Sequence, residues 1–192
     1  MAMATPETRP DHVEAVVSSR RTNLLVDSQR PVPDALVDRL IAAATWAPNH
    51  KRTWPWRFTV LTGASRAVLG ERMSVTASGF GAPEAQVLKL RTKYLRSPTV
   101  VLVWVRTDAA DEVRRREDRD ATAAAVQNML LTATAHDLAS YWGTVPDPLV
   151  ATVRDVAGVG PEHDLVALVY LGWPTGSVAV PPRPAPVVDR LT

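Results

Sequence analysis

The chain has 192 residues, 46% of them apolar and 22% charged, with 22 Lys plus Arg against 20 Asp plus Glu for a net charge of +2. That length and balance fit about one soluble globular domain with a sizeable core, and they give no charge-based case for nucleic acid or a membrane surface as partner. With no cysteine in the chain, disulfides, thiolate metal sites and cysteine nucleophiles are excluded, and the composition suits a reducing cytoplasm. The N-terminus is polar and lacks the apolar run of a signal peptide, so residues 1–10 are expected to be disordered. A short helix is predicted over 11–19, from Asp11 to the break at Arg20-Arg21-Thr22. A second helix starts at Pro33, where a missing N–H costs nothing. Its apolar face is Leu36, Val37, Leu40, Ile41 and Ala44, and Pro48 ends it.

Residues 56–62, WRFTVLT, alternate like a half-buried strand. GASRAVLGERMS opens another helix with Ser65 near its start, and 84–96 reads as a basic amphipathic helix. PTVVLVWVR, 98–106, is a continuous β-branched run and predicts a strand buried on both faces. Residues 111–138 form one long helix, charged over the first third and almost apolar thereafter, so it is expected to be central or at a dimer interface. A short strand-like segment at 140–144, a helix over 146–158 and a strand over 164–174 follow. The longest apolar runs, 100–105 and 165–168, are too short to cross a bilayer. The tail, 178–192, holds VPPRPAPVV and must be extended. The element order is that of an α+β or α/β fold in a single domain over 11–192. A tail without secondary structure has little reason to exist in a monomer, and a partner subunit is the natural surface for it.

Four clusters could carry chemistry. Arg20, Arg21 and Thr22 offer two guanidinium forks and a hydroxyl, which suit a phosphate; the competing reading, which the local signal alone favours, is a solvated helix end. WAPNHKRTWPWRF, 46–58, is bracketed by Pro48 and Pro55. Asn49, His50, Lys51, Arg52 and Thr53 supply donors there, and Trp46, Trp54 and Trp56 supply planar surface. A flat heteroaromatic ligand with polar edges would use both. The competing reading is a tryptophan core covered by stacked cations. Trp142-Gly143-Thr144 follows the long helix, where glycine either admits a backbone N–H to a ligand or simply makes a turn. Arg183, fixed between prolines, is a second phosphate contact or a solvated tail charge. GxGxxG, P-loop, HExxH and GxSxG patterns are absent. The four histidines show no ligand spacing, so no metal is expected. Arg114-Arg115-Arg116 are interleaved with Glu112, Glu117, Asp118 and Asp120 and read as a solvated helix face.

These clusters, in this order, resemble the FMN-dependent nitroreductase family in its small bacterial form. The resemblance runs from about residue 13 to 188. It rests on SRRTNLLVD, on PVPDALVDRLIAAATWAPNHKRTWPWRFTVL, on ATAAAVQNMLLTATAHDLASYWGT, on LVALVYLGWP and on the late Arg183. It implies an α+β fold, a central mostly antiparallel sheet flanked by helices, in an intertwined homodimer whose C-terminal tails exchange. It implies two FMN sites at the dimer interface. Arg20, Arg21 and Thr22 match the grip on the FMN phosphate and ribityl chain, and Arg183 the late residue that closes on the phosphate. Asn49, His50 and Lys51 match the loop bordering the flavin, and Trp46 a residue near the site across the dimer. Trp142, Gly143 and Thr144 match the segment whose backbone approaches the flavin ring. Residues 132–137 match a stretch assigned to nicotinamide binding, although most of it should be buried helix. The activity implied is ping-pong transfer from NADH or NADPH through the flavin to a nitroaromatic, quinone or similar small acceptor, with no catalytic side chain. A flavin storage or sensing protein, a flavin-consuming oxygenase of the same superfamily, and an interaction protein without cofactor remain alternatives. Three departures bear on the choice: Leu24 and Leu25 stand where many relatives carry a basic residue, and Trp54 stands where many carry Gln.

Overall fold

The β-branched run read above as a doubly buried strand is the middle of the structure, a computed structural model in which residues 9–107 and 111–191 are described. It forms β2 (Thr99–Arg106) and is buried at every position but Arg106. On one side it pairs with β1 (Trp56–Thr62) and on the other with β4 (His163–Gly172), which in turn pairs with β3 (Ala139–Gly143). The four strands are antiparallel throughout, in the order β1-β2-β4-β3.

Alternation along β2 divides the core in two. Val101, Val103 and Val105 face α2 (Asp34–Ala44) and α5 (Glu112–Ala135), joining Val37, Leu40, Ala125, Val126 and Met129. Val100, Leu102 and Trp104 face α3 (Ala64–Gly79), α4 (Glu84–Lys93) and α6 (Asp147–Ala157), joining Leu69, Met73, Leu90, Leu149 and Val153. A bulge interrupts the alternation in β4. Val103 pairs with Ala167 but Trp104 with Leu165, so Val166 is the extra residue, and Val166 and Ala167 both fall on the α5 side.

All of the elements expected from the sequence are present, and the differences lie at their ends. Helix α1 (Arg9–Ser19) starts two residues before Asp11, so Arg9 and Pro10 are helical rather than disordered, while residues 1–8 lie outside the described residues. The segment over 84–96 is α4 followed by a 3-10 turn at Tyr94–Arg96. Asp111 caps α5, its side chain accepting from the N–H of Arg114, and the helix ends at Ala135, because Asp137 turns the chain at φ 57°. Gly158, left-handed at φ 61°, stops α6. From 174 to 191 the chain has no helix or strand pairing beyond a bridge at Pro174, and it is exposed throughout. No helix among the described residues is long and apolar enough to cross a membrane.

The α3–α4 packing makes a test of the core. A Cβ on Gly70 would lie 2.3 Å from the Arg91 carbonyl oxygen. Gly→Ala in a helix interior normally gains about 1 kcal/mol. Here the methyl must push α4 away, and overpacking costs about 1–3 kcal/mol. Gly70→Ala is therefore expected to lower the urea midpoint rather than raise it.

Candidate functional site

Two of the four sequence clusters meet in one cleft. Past the end of α1, Arg20 N–H still bonds the Val16 carbonyl at 3.0 Å, and the chain then runs parallel to β3 through a bridge between Thr22 and Ser140. The C-terminal tail leaves β4, bridges Pro174 to Val26, and returns beside the end of α1. Between them lies a cleft of about 890 Å³ walled by Val17, Ser18, Arg20, Arg21 and Thr22, by Gln127 of α5, and by residues 178–183 of the tail, Arg183 included.

The cleft carries three guanidinium groups and no carboxylate. Arg21 Nη1 donates to the carbonyls of Ser18 (2.5 Å) and Arg20 (2.8 Å), while its buried Nε has no partner. The guanidinium groups of Arg20 and Arg183 make no hydrogen bond or ion pair to a described residue. Three like charges without a counter-charge repel one another, so the arrangement favours an anion that accepts several charged hydrogen bonds.

The third cluster lies next to the cleft rather than in it. Trp142 is 39% exposed at the free edge of β3, two residues beyond the Thr22–Ser140 bridge. Packing alone accounts for Gly143: an added Cβ would lie 2.9 Å from Cε2 of the Tyr170 ring. Behind β3, Tyr141 stacks on Tyr170 at 4.2 Å, and Tyr94 lies beyond at 6.4 Å. Burial pushes all three hydroxyls above the ordinary phenol value, so they stay neutral at physiological pH and supply no base. The threonine hydroxyls in 132–137 turn back onto their own helix, Thr132 to the Asn128 carbonyl and Thr134 to that of Leu130.

The fourth cluster sits elsewhere, against the N-terminal half of α5. Its loop is held by a buried carboxylate that the sequence reading assigned to a solvated face: Asp118 is 6% exposed and accepts the hydroxyl of Thr53. Asn49 Nδ2 donates to Thr53 Oγ1 at 2.9 Å, and its Oδ1 accepts the Trp54 N–H at 2.8 Å. The Asn49 amide is thus used inside the loop. His50 Nδ1 lies 3.0 Å from Glu117 Oε2, an exposed pair. Lys51, Arg52 and Trp54 adopt φ of 57°, 54° and 47°, left-handed values that are costly for residues with a side chain. Trp54 packs edge-on against Trp56 at 5.9 Å, and Trp46 is 86% exposed. Among the described residues no group of three or more His, Cys, Asp or Glu is placed to hold a metal.

Residues 17–173 match the model of the Nitroreductase family. The chain belongs to that family. Among curated relatives, "Putative NAD(P)H nitroreductase YdjA" of Escherichia coli (strain K12) is 26% identical over 183 residues, covering 93% of this chain and 98% of its own. The 5,6-dimethylbenzimidazole synthase of Rhodospirillum rubrum is 29% identical over 182 residues, covering 83% and 85%. Among solved structures, the nitroreductase-like family protein from Bacillus cereus superposes with a TM-score of 0.79 at 24% identity, over 96% of this chain and 95% of that one. The FMN-dependent nitroreductase NfnB from Mycobacterium smegmatis, solved in complex with NADPH, gives 0.73 at 18% identity over 94% and 99%. The fold is therefore the nitroreductase fold, as the resemblance implied.

Within this nitroreductase-family chain, Arg20, Arg21, Thr22 and Arg183 come together, while Trp142, Gly143 and Thr144 follow Ser140, the bridge partner of Thr22, outside the lining of the cleft. Trp46, Asn49, His50 and Lys51 stand apart on their loop. Gln127 and Ser18 went unnoticed in the sequence, and Asp118 was placed on a solvated face although it is buried. The loop makes its own test. Thr53→Val keeps the shape but leaves the Asp118 carboxylate short of a donor. It is expected to cost about 1–3 kcal/mol in chemical denaturation, while Thr53→Ser stays close to the parent.

Proposed function

We propose that this chain is an NAD(P)H-dependent FMN oxidoreductase that works as a homodimer and passes reducing equivalents to a small acceptor such as a nitroaromatic or quinone. The observation that carries the reading is the carboxylate-free cleft with Arg20, Arg21 and Arg183 on its walls. A phosphate monoester fits that donor set. The unpaired, buried Nε of Arg21 supports the fit, since a buried donor without a partner is costly until something accepts from it. Arg20, Arg21, Thr22 and Arg183 would hold the phosphate and the polar chain next to it. His50, Lys51 and Trp142 would border the flavin end.

When bound, FMN supplies the hydride chemistry, taking two electrons from NAD(P)H and delivering them to the acceptor, the two substrates using the site in turn. The chain's own residues bind and orient. The cleft residues include no Asp, Glu or His that could move a proton. Their positive charge favours negative charge on whatever the cleft holds.

Several features support a second copy of this chain as partner. None of the residues of α1 is buried, and Val13 and Val17 are 58% and 50% exposed. Leu24, Trp46, Val187 and Leu191 are also open to solvent. A tail exposed over 174–191 is costly to order unless another surface receives it. The loop half of the site, detached from the cleft in one protomer, is consistent with a cofactor lying where two protomers meet. A reducing cytoplasm is the setting proposed for it.

Purified protein is expected to be yellow, and NADH or NADPH is expected to bleach it without oxygen. Loss of the flavin absorbance itself on aeration would move the reading to a flavin-consuming oxygenase. The double variant Arg20→Ala, Arg21→Ala is expected to lose FMN affinity by at least ~10-fold, since hydrogen bonds to charged groups contribute ~1.5–3 kcal/mol each. Full FMN content in that variant would contradict the phosphate assignment. Truncation after Trp173 is expected to give monomer or insoluble protein by size-exclusion chromatography, and a soluble, flavin-loaded dimer would refute the tail's role.

A further inference from the structure

Asn23 directly follows the proposed phosphate grip, and every polar group it has except its carbonyl is engaged. Its backbone N–H donates to the Ser140 carbonyl of β3 at 3.2 Å. Its side-chain Oδ1 accepts the Leu25 N–H at 2.8 Å, closing a local Asx-type turn. Its Nδ2 donates to the Gly176 carbonyl at 3.1 Å, across 153 residues of sequence. The neighbouring contacts point the same way. Thr175 N–H donates to the Leu25 carbonyl at 2.9 Å, and Val26 bridges Pro174. A Cβ on Gly176 would lie 3.1 Å from Cδ1 of Leu25.

The first residues of the tail are therefore stitched to 23–26. Beyond Gly176 the tail makes no hydrogen bond to the rest of the described chain, yet 178–183 form a wall of the cleft. The Asn23 amide is the last polar tether before Arg183. The same residue is bonded to β3, alongside which Arg20, Arg21 and Thr22 are laid. One side chain thus fixes the tail-borne cation relative to the two on the N-terminal side. Leu25 has a place in this arrangement as well: a basic residue there could reach for phosphate, whereas Leu25 stands over Gly176 and supports the tail.

We propose that Asn23 is a positioning residue for the phosphate site, acting through the tail to hold Arg183 across the cleft from Arg20 and Arg21. This rests on the reading of the cleft as the FMN phosphate site. The prediction is energetic coupling between two residues that do not touch, and a double-mutant cycle reads it directly.

The experiment measures the dissociation constant of FMN, by quenching of its fluorescence, for the full-length parent, Asn23→Leu, Arg183→Ala and the double variant. Asn23→Leu removes the amide at similar volume without adding charge. Asn23→Ser keeps a turn acceptor but is too short to reach Gly176, and it serves if the leucine variant does not fold. Arg183→Ala is expected to weaken FMN by about 10-fold, the size of one charged hydrogen bond. Asn23→Leu is expected to weaken it by about 5- to 10-fold in the parent, and by less than about 2-fold when Arg183 is already absent. Equal losses in both backgrounds overturn the proposal, as does a lowered melting temperature with unchanged affinity. If Arg183→Ala itself leaves the affinity unchanged, the phosphate reading of the cleft fails. If Arg183→Ala weakens FMN while Asn23→Leu does nothing, only the role of Asn23 fails.

Discussion

Helix α5 must satisfy two faces at once, and both halves of the candidate site depend on how it does so. One face, with Ala125, Val126, Met129, Leu130 and Ala133, is buried against the sheet. Small residues there let the helix lie close to the strands, which fixes its height and rotation. The other face then has a settled position. Glu117, Asp120, Ala124 and Gln127 recur at intervals of three and four, so they form one exposed to half-buried stripe. The 46–54 loop closes a hollow over the first three, and Gln127 lines the arginine cleft. At ~1.5 Å per residue, the ends of that stripe are about 15 Å apart. The core face of α5 thus sets the distance and the shared direction of the two half-sites.

The loop shows what a held position costs. Three consecutive or near-consecutive side-chain-bearing residues, Lys51, Arg52 and Trp54, take left-handed backbone angles. Each costs on the order of 1–3 kcal/mol, and such geometry persists only where its surroundings over-determine it. The surroundings here are specific: the Asp118–Thr53–Asn49 bonds, a buried Pro55, and the Trp54–Trp56 edge contact. The exposed His50–Glu117 pair adds little, because surface ion pairs are screened and entropically costly. The strain sits beside the residues proposed to border the flavin, so the network constrains where Lys51 and Arg52 are presented more than it stabilises the fold.

Much of the fold was legible because it depends on local patterns. The run at 99–106, the prolines at 33, 48 and 146, and Gly158 mark strands and helix ends by periodicity and backbone restriction alone. Of the site, the arginines and Arg183 were legible by residue type as suited to phosphate, and their meeting only through the family resemblance; the contacts that make it, such as Asn23 to Gly176 across 153 residues, leave no local mark. Asp118 was misread for a physical reason. It lies among Arg115, Arg116 and Arg119, where charge density suggests solvent, and only the fold shows that its own side of the helix turns inward. Asn49 was read as a donor for a ligand when its amide serves the loop. Gln127 could have been found, since its spacing from Glu117 continues the polar stripe of a helix otherwise read as apolar. Asn23 carries no local signal, because its meaning lies in the Gly176 carbonyl.

The uneven placement of charge follows from these constraints. Net charge is only +2, and near the loop the charges of α5 are mixed, Glu117, Asp118 and Asp120 among Arg114, Arg115, Arg116 and Arg119, while the cleft farther along has three cations and no carboxylate. A solvated surface gains nothing from such segregation, since mixed charges repel less and dissolve as well. A site for a molecule anionic at one end and flat at the other does gain from it. On the proposed reading the guanidinium groups stand where phosphate charge would lie, and the tryptophan loop, detached from that cleft within one protomer, would meet a ring held between two protomers. The long helix and the tail, which look unrelated in sequence, are both needed for that separation, one as the spacer and the other as the carrier of the third cation.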